Sequence, residues 1–301
     1  MGLASARAVI LVRHRVCGPG GKARWRQDEL RSPDLVLVRA SYEGAYRDET
    51  LAPEYAQGCA SIRFVLGGSM VTRAQKGAVD LREGHLYVSA THGAAPARAL
   101  VEASDILVIG WRLGTCVGER PPGDACFTPS RSTAVRLRRL ADALAADDGA
   151  EKRIHAAADA LAALRAEGLP LTDTAAAALR GHPQNDTANQ RVATAVERSV
   201  ASLSSSPTSI DLAGALDVGE HHALRCANAH FRRFYFSVNG WREYLRRRRI
   251  DLGAFFMGRA DARTEDVARV LGFRSPTSFC HALNGAGLPS PRALQRLLIA
   301  S

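Results

Sequence analysis

The sequence predicts an α+β protein of several domains, with a β-barrel or sandwich at the N-terminus, a helical middle segment and an all-α C-terminal domain. The chain has 301 residues, enough for two or three domains, and 46% of them are hydrophobic against 23% charged, which is a globular composition. Short β-branched and aromatic runs dominate roughly the first 115 residues. Segments rich in alanine and leucine, with helical spacing, follow them.

The N-terminal region consists of brief apolar runs separated by glycine-rich turns such as Gly67-Gly68. Several short strands at this spacing are typical of a sandwich or a small barrel. We expect strands at residues 7–12, 34–38, 61–66, 85–90 and 105–111.

The middle of the chain, residues 134–165, has leucines spaced for amphipathic helices, with a break at Asp147-Asp148-Gly149. A further helix is expected near residues 189–203. Such helices have an apolar face to cover, which favours a homodimer; the alternative is that they pack on the barrel of the same chain. The run Ser204-Ser205-Ser206-Pro207 predicts the last boundary. The expected domains are residues 1–125, 126–206 and 207–301.

Positive charge is concentrated in one stretch of the chain. Lysine and arginine total 40 against 30 aspartate and glutamate, a formal net charge of +10. Between His221 and Arg263, ten arginines stand against three acidic residues. Such an excess is expected where the phosphates of a nucleic acid are neutralised. A solvated, arginine-rich surface is the alternative.

The sequence also limits compartment and chemistry. Apolar runs fall far short of the roughly 18 residues that a spanning helix needs, and the N-terminus lacks a signal-peptide pattern. We therefore expect a cytoplasmic protein with no membrane partner. The six cysteines form no Cys-x-x-Cys pair, so neither a disulfide framework nor a zinc knuckle is indicated. We expect neither a metal nor a cofactor.

Residues 264–279 have the pattern of a helix-turn-helix. Apolar residues of the first segment share one helical face, Gly272 can end that helix, and Ser275-Pro276 can start the next. Phe273 and Phe279 are expected to fill the small core between the two helices. The residues then left to face a DNA groove are Arg274, Thr277, Ser278, His281 and Asn284. An ordinary helical hairpin without a ligand is the alternative.

Three groups of residues follow one another in a characteristic order. They are Glu243-Tyr244-Leu245-Arg246-Arg247-Arg248-Arg249, then Ala268-x-x-Leu271-Gly272-Phe273-x-Ser275-x-x-x-Phe279, then Ser290-Pro291-x-x-Leu294. In this order they resemble the AraC/XylS family of bacterial transcription regulators, over residues 210–294. The resemblance implies two helix-turn-helix units joined by a long helix, expected here from about Trp241 to Met257. Such a helix spans roughly 26 Å, enough to hold two recognition helices about one DNA turn apart.

The segment from Leu81 to Val88 resembles the tight turn and strand of the cupin-like sensor domains of this family. The resemblance implies a cupin-like N-terminal domain that binds a small-molecule effector. A cupin enzyme would show a His-x-His with a downstream carboxylate and a further histidine, and His14, His85 and His92 lack that spacing. A cupin-fold enzyme, or a small-molecule binding module with a degenerate DNA-binding domain, remains the alternative function.

The first unit and the joining helix hold most of the positive charge. Candidate DNA-binding residues there are Arg225, Arg232, Arg233, Arg246 and Arg247. We expect the run 246–249 and the pair 232–233 to contact phosphates, because they are crowded and flank a recognition helix. Residues 219–239 are several longer than the family pattern, which leaves the register of the first unit open. The predicted function is sequence-specific binding of double-stranded DNA in transcription regulation, without enzymatic activity and with RNA polymerase as a further candidate partner.

Overall fold

A computed structural model of the chain describes residues 9–33, 35–43, 59–74, 77–89, 97–99, 103–112, 125–146, 149–169, 187–234, 236 and 238–299. Expectations that fall on other residues, among them His92 and residues 7 and 8 of the first predicted strand, lie outside the described residues.

The N-terminal region is built from two antiparallel sheets. Its strands are β1 (Ile10–Cys17), β2 (Arg24–Arg31), β3 (Leu35–Glu43), β4 (Cys59–Gly67), β5 (Ser69–Ala74), β6 (Gly77–Arg82), β7 (Leu86–Ser89), β8 (Ala97–Ala99), β9 (Ala103–Arg112) and β10 (Ala125–Phe127). The larger sheet has the order β1-β2-β3-β9-β4-β7-β10, and the smaller has the order β6-β5-β8. A short 3-10 helix, Pro19–Gly21, lies in the loop between β1 and β2.

The predicted strands correspond to β1, β3, β4, β7 and β9, and the predicted tight turn lies at Glu83-Gly84, where Gly84 has a φ of 84°. Sequence reasoning missed the other five described strands, of which β2 is the longest. Only Trp25 and Leu30 are apolar in this strand, yet five consecutive residues at its end are buried. A strand that buries polar side chains carries no hydrophobic alternation, so the pattern that identified its neighbours was absent.

Helices make up the rest of the described chain. They are α1 (Arg131–Ala145), α2 (Ala150–Ala166), α3 (Thr187–Ala201), α4 (Ser209–Leu216), α5 (Glu220–Arg233), α6 (Trp241–Met257), α7 (Thr264–Val270), α8 (Pro276–Asn284) and α9 (Pro291–Ile299). The joining helix has the predicted bounds, and the predicted break separates α1 from α2. The predicted fold class is confirmed, with a β-rich N-terminal part, a helical middle and an all-α C-terminal part.

The outer face of the seven-stranded sheet packs against α1 and α2. Leu37, Phe64 and Leu107 of the sheet belong to the same buried cluster as Leu140 of α1 and Leu161 of α2. The apolar faces of these two helices are therefore covered within the chain. Packing on the sheet of the same chain was the alternative to a homodimer. The dimer was expected because these helices have an apolar face to cover, and the sheet covers that face.

The inner face of the same sheet shares one core with α3 and the C-terminal helices. The ring of Phe255, near the end of α6, lies 5.7 Å from Trp25 of β2 and 6.1 Å from Tyr42 of β3, measured between ring centroids. Aromatic pairs at such distances contribute packing beyond simple burial. The sheet and the C-terminal helices are thus joined by a continuous apolar core.

The edge strand β1 is covered by α3. The backbone N–H of Leu11 donates to Oε1 of Gln190 at 2.9 Å, and Nε2 of Gln190 donates back to the Leu11 carbonyl oxygen at 3.0 Å. Two residues along the strand, the backbone N–H of Arg13 donates to the Glu197 carboxylate. These side chains occupy backbone groups that an uncovered edge strand would offer to another chain.

We expect Gly253→Ala to destabilise the protein by about 1–2 kcal/mol, although alanine is the better helix former. A Cβ atom at position 253 in α6 would lie 2.6 Å from Cε2 of Phe279, whose ring is fully buried and cannot swing away. Gly214→Ala in α4 is the matched control, because its Cβ would meet no atom within 4 Å. We expect that variant to gain about 0.5 kcal/mol. Urea unfolding midpoints measure both; equal shifts in the two variants would contradict the close packing of α6 on α8.

Burial raises the pKa of Glu197 from 4.5 to about 7, against the hydrogen bond and charge of Arg13. Because the folded protein favours the protonated acid, its stabilising contribution is full below pH 4.5 and is lost as the pH rises through about 7. Glu197→Gln keeps an acceptor for the Arg13 N–H but cannot ionise. We expect this variant to gain about 1–2 kcal/mol on the wild type between pH 5 and pH 8 in urea unfolding. A constant difference between the two proteins at both pH values would refute the assignment.

Candidate nucleic-acid interface

The first helix-turn-helix consists of α4 and α5. A capping box starts α4, in which the Asp211 carboxylate accepts the backbone N–H of Thr208 at 2.7 Å and lies 2.7 Å from its hydroxyl. These hydrogen bonds lower the pKa of Asp211. The helix ends at Asp217, whose φ of 56° turns the chain toward Gly219, the residue before α5. The turn therefore depends on the left-handed conformation of Asp217, since Gly219 provides no side-chain cap for α5.

The second helix of this unit, α5, runs for 14 residues within the segment 219–239, whose register the sequence left open. Ala223, Ala227 and Phe231 lie on its buried side. Its exposed side carries the predicted residues Arg225, Arg232 and Arg233, together with His221 and His222. Sequence reasoning did not select the two histidines, because with the register of this unit open the start of its second helix was not fixed.

The four consecutive arginines of α6 have four different environments. Arg246 is exposed, whereas Arg247 is half-buried and its guanidinium lies 2.9 Å from the Glu243 carboxylate. Arg249 is half-buried, and burial lowers its pKa. Arg248 is buried. The expectation that all four contact phosphates is therefore wrong for Arg248.

The Arg248 side chain points into the β domain. Its Nη2 donates to Nε2 of His14 in β1 at 3.3 Å, and its Nε donates to the Tyr244 hydroxyl at 3.3 Å. Burial, and then the charges of Arg248 and its neighbours Arg31 and Arg15, lower the pKa of His14 well below its ordinary value. The imidazole is therefore neutral and can accept the hydrogen bond from the guanidinium.

The second helix-turn-helix, α7 and α8, has the predicted geometry. Gly272 adopts a φ of 74° in the turn, where a Cβ would lie 2.1 Å from the Leu203 carbonyl oxygen. Phe279 is fully buried, and its ring centroid lies 5.1 Å from that of Phe273. Ser275 caps α8 and forms a capping box with Ser278. The two phenylalanines and the turn glycine thus have the roles expected of them.

The exposed side of α8 and its preceding turn carries four of the five predicted groove residues, Arg274, Thr277, His281 and Asn284. They follow at spacings of three or four residues, so they lie along one face. Ser278 differs, because its hydroxyl accepts the Ser275 N–H at 3.1 Å and donates to the Ser275 carbonyl at 2.8 Å. That hydroxyl is engaged in the cap rather than presented on the surface.

Acidic partners neutralise some of the surrounding charge. The Asp261 carboxylate lies 2.6 Å from Nζ of Lys22 and 3.0 Å from Nε of Arg259, and these hydrogen bonds lower its pKa to about 2. Glu243 similarly has its pKa lowered, first by the Asn239 N–H and then by Arg247. Within the described part of the chain, Arg225 and Arg274 have no acidic partner, so their charge is available to an anion.

No group of three or more His, Cys, Asp or Glu that could hold a metal ion occurs among the described residues. None of the described helices combines the length and apolar character needed to cross a bilayer.

Comparisons with known proteins give low similarity throughout. No family model matches the sequence, and no curated protein matches it significantly. Among solved structures, ToxT from Vibrio cholerae with a bound unsaturated fatty acid is similar over 90% of this chain and 98% of its own, with 9% identity and a TM-score of 0.38. Protein YlbA from E. coli is similar over 44% of this chain, with 15% identity and a TM-score of 0.32.

AerE from Microcystis aeruginosa is similar over 40% of this chain, with 13% identity and a TM-score of 0.31. The chain spans about half the length of YlbA, of AerE and of a Pseudomonas aeruginosa protein described as glyoxylate-induced, with 55%, 53% and 51% of those chains covered.

Proposed function

We propose that this chain is a transcription regulator of the AraC/XylS type that binds double-stranded DNA in a sequence-specific manner. The observation that carries the proposal is the pair of helix-turn-helix units, α4–α5 and α7–α8, joined by the single helix α6. Each unit exposes polar and basic side chains at the start of its second helix, the part that enters a major groove in this class of motif.

The distribution of side chains supports sequence readout in addition to charge attraction. Arg274 is exposed, has no acidic partner among the described residues and stands directly before the cap of α8. Arginine in this position can contact O6 and N7 of a guanine through two hydrogen bonds. Thr277, His281 and Asn284 continue the same face with groups that can both donate and accept. Arg232, Arg233 and Arg246 are assigned to phosphates, which fix position without reading sequence.

The proposal includes three further partners implied by the family resemblance. These are a small-molecule effector of the cupin-like N-terminal domain, a second copy of the chain in a homodimer, and RNA polymerase. An apolar core runs from the sheet into the C-terminal helices, so a ligand that shifts the sheet has a physical route to the DNA-binding helices.

Selection of bound sites from random double-stranded DNA tests the proposal. Enrichment of one motif, together with affinity that falls steeply with salt, is the expected result. A protein that binds all sequences equally would have a basic surface without readout. A protein that binds none, but turns over a small substrate, would have the alternative enzymatic function.

We expect Arg246→Met to flatten the slope of log affinity against log salt by about one unit, because one phosphate contact is lost. Arg248→Met is the matched control from the same run. Its guanidinium is buried against His14, so the slope should keep its wild-type value while stability falls. Affinity titrations at several salt concentrations and urea unfolding measure the two effects. An equal change of slope in both variants would be inconsistent with the assigned orientations.

We expect Arg274→Ala to relax the preference at one or two base pairs of the selected site, by about 1–3 kcal/mol each, and to leave non-specific affinity nearly unchanged. The control is Arg269→Ala in α7, another exposed arginine, whose charge is already paired with Glu265 and Asp266. A panel of single-base operator variants measures the preference. Position-by-position penalties identical to those of the wild type would mean that Arg274 reads no base.

A further inference from the structure

Arg31 of β2 is fully buried, yet it belongs to the β domain and contacts the C-terminal helices. Its Nε is paired with the Glu29 carboxylate of its own strand. Its Nη1 donates to the carbonyl oxygen of Phe234 at 3.4 Å, just after the end of α5. Its guanidinium carbon lies 3.9 Å above the centroid of the Phe236 ring, at a distance typical of a cation–π interaction.

Phe236 lies in the connection between α5 and α6 and contacts both helices. Its ring centroid is 5.3 Å from that of Phe231 in α5 and 5.8 Å from that of Tyr244 in α6. Its backbone N–H donates to the Phe231 carbonyl at 2.9 Å. Phe231 and Tyr244 also stack directly, with centroids 4.9 Å apart. The placement of Phe236 therefore fixes how α5 sits against α6.

Burying an arginine is costly, and an apolar side chain of similar size would avoid that cost. Among the described residues, Nη2 of Arg31 has no hydrogen-bond acceptor, and this unsatisfied group raises the cost of burial further. What the arginine provides in return is orientation. Its rigid guanidinium contacts the Phe234 carbonyl and the face of the Phe236 ring at the same time. A methionine at this position would fill space but could not hold either group.

We propose that Arg31 is a positioning residue for the first DNA-binding unit, which acts from the sheet by holding Phe234 and Phe236 and thereby sets the orientation of α5. This inference rests on the proposed DNA-binding function. Being fully buried, Arg31 cannot touch DNA, so its effect on recognition is indirect, and its contacts with Phe234 and Phe236 direct that effect to α5.

The two helix-turn-helix units differ in their contacts with β2. The second unit packs on α6 through Phe279, against Gly253, and has no comparable contact from β2 among the described residues. Loss of Arg31 should therefore affect readout by α5 and leave readout by α8 unchanged. A general loss of folded protein would instead weaken binding to every sequence alike.

The test compares Arg31→Met with Arg153→Met. Arg153 of α2 is also a buried arginine, which donates to the carbonyl oxygens of Ala143 at 3.0 Å and of Ala146. It lies at the outer face of the sheet, so its loss removes buried hydrogen bonds away from the DNA-binding units. Phe236→Leu is the second variant, which removes the aromatic face but keeps apolar volume should Arg31→Met fail to fold.

The first measurement is hydrogen exchange on the free protein, which needs no DNA. We expect amides of α5 and of the following connection to exchange about tenfold faster in Arg31→Met or Phe236→Leu than in the wild type, while amides of α8 keep their rates. Arg153→Met should leave both regions unchanged. Wild-type exchange at α5 in the first two variants would overturn the inference, whatever the protein does with DNA.

The second measurement is affinity for single-base variants of the selected operator. We expect Arg31→Met to bind that operator about tenfold more weakly and to lose discrimination only at the base pairs read by α5, whereas Arg153→Met keeps the wild-type pattern. Wild-type penalties at all positions in Arg31→Met would overturn the inference while leaving the proposed function intact. Failure of the wild type to select any site would overturn the proposed function alone.

A double variant separates positioning from simple neutralisation of Glu29. If Arg31 served only to pair that carboxylate, Glu29→Gln with Arg31→Met would restore both exchange rates and base discrimination. We expect the double variant to behave like Arg31→Met, because the contacts with Phe234 and Phe236 remain absent. Restoration of the wild-type values would overturn the inference.

Discussion

Two buried guanidinium groups cross the junction between the sheet and the C-terminal helices in opposite directions, and the arrangement of both parts depends on them. Arg31 extends from β2 to the connection after α5, and Arg248 extends from α6 to His14 in β1. Buried charge is tolerated only where partners are in place, so neither part can shift without leaving an arginine unpaired. An apolar core tolerates small displacements more easily, since dispersion contacts are not directional. The arginines therefore fix how the sheet and the C-terminal helices are positioned relative to each other. The packing of Trp25, Tyr42 and Phe255 stabilises the contact between them.

The same constraint divides the arginines of the basic stretch into two classes. Arg225, Arg232, Arg246 and Arg274 are exposed to solvent and keep a charge that can meet an anion. Arg248 is buried and belongs to the junction, and Arg247 is held by Glu243. Net charge alone therefore overstates the number of groups that a polyanion could contact. The exposed positive charge therefore lies on α5, at the start of α8 and on one face of α6. It does not extend over all the arginines of the basic stretch.

Sequence reasoning succeeded where local rules decide the structure. The turn at Gly272, the cap at Ser275 and the bounds of α6 follow from glycine conformation, capping and helical spacing, all of which act within a few residues. The buried position of Arg248 could also be predicted from the sequence. It lies four residues after Tyr244 and seven after Trp241, two large aromatic residues that are buried in the same helix, so helical periodicity places it on their side.

The polar residues of β2 lay beyond such rules. Gln27, Glu29 and Arg31 look like an exposed, charged segment, and they are buried only because a distant part of the chain packs over them. No local signal distinguishes a charge that solvent surrounds from one that a second domain surrounds. Ser278 is a different case, because its hydrogen bonds with Ser275 span only three residues and belong to the local capping of α8.

The two helix-turn-helix units contact the β domain through different residues. The second unit reaches the β domain through α6, on which Phe279 packs beside Gly253, and through α7, which contacts the 3-10 helix Pro19–Gly21 before β2. The ion pair of Lys22 with Asp261 is exposed and therefore weak. The first unit is contacted directly from β2, through Phe234 and Phe236. A change at Arg31 would thus act on the first unit through contacts that the second unit does not share. Under the proposed function, the second helices of both units fit one DNA face at a fixed separation, and an unequal displacement of the two would change sequence readout more than the overall attraction to charge.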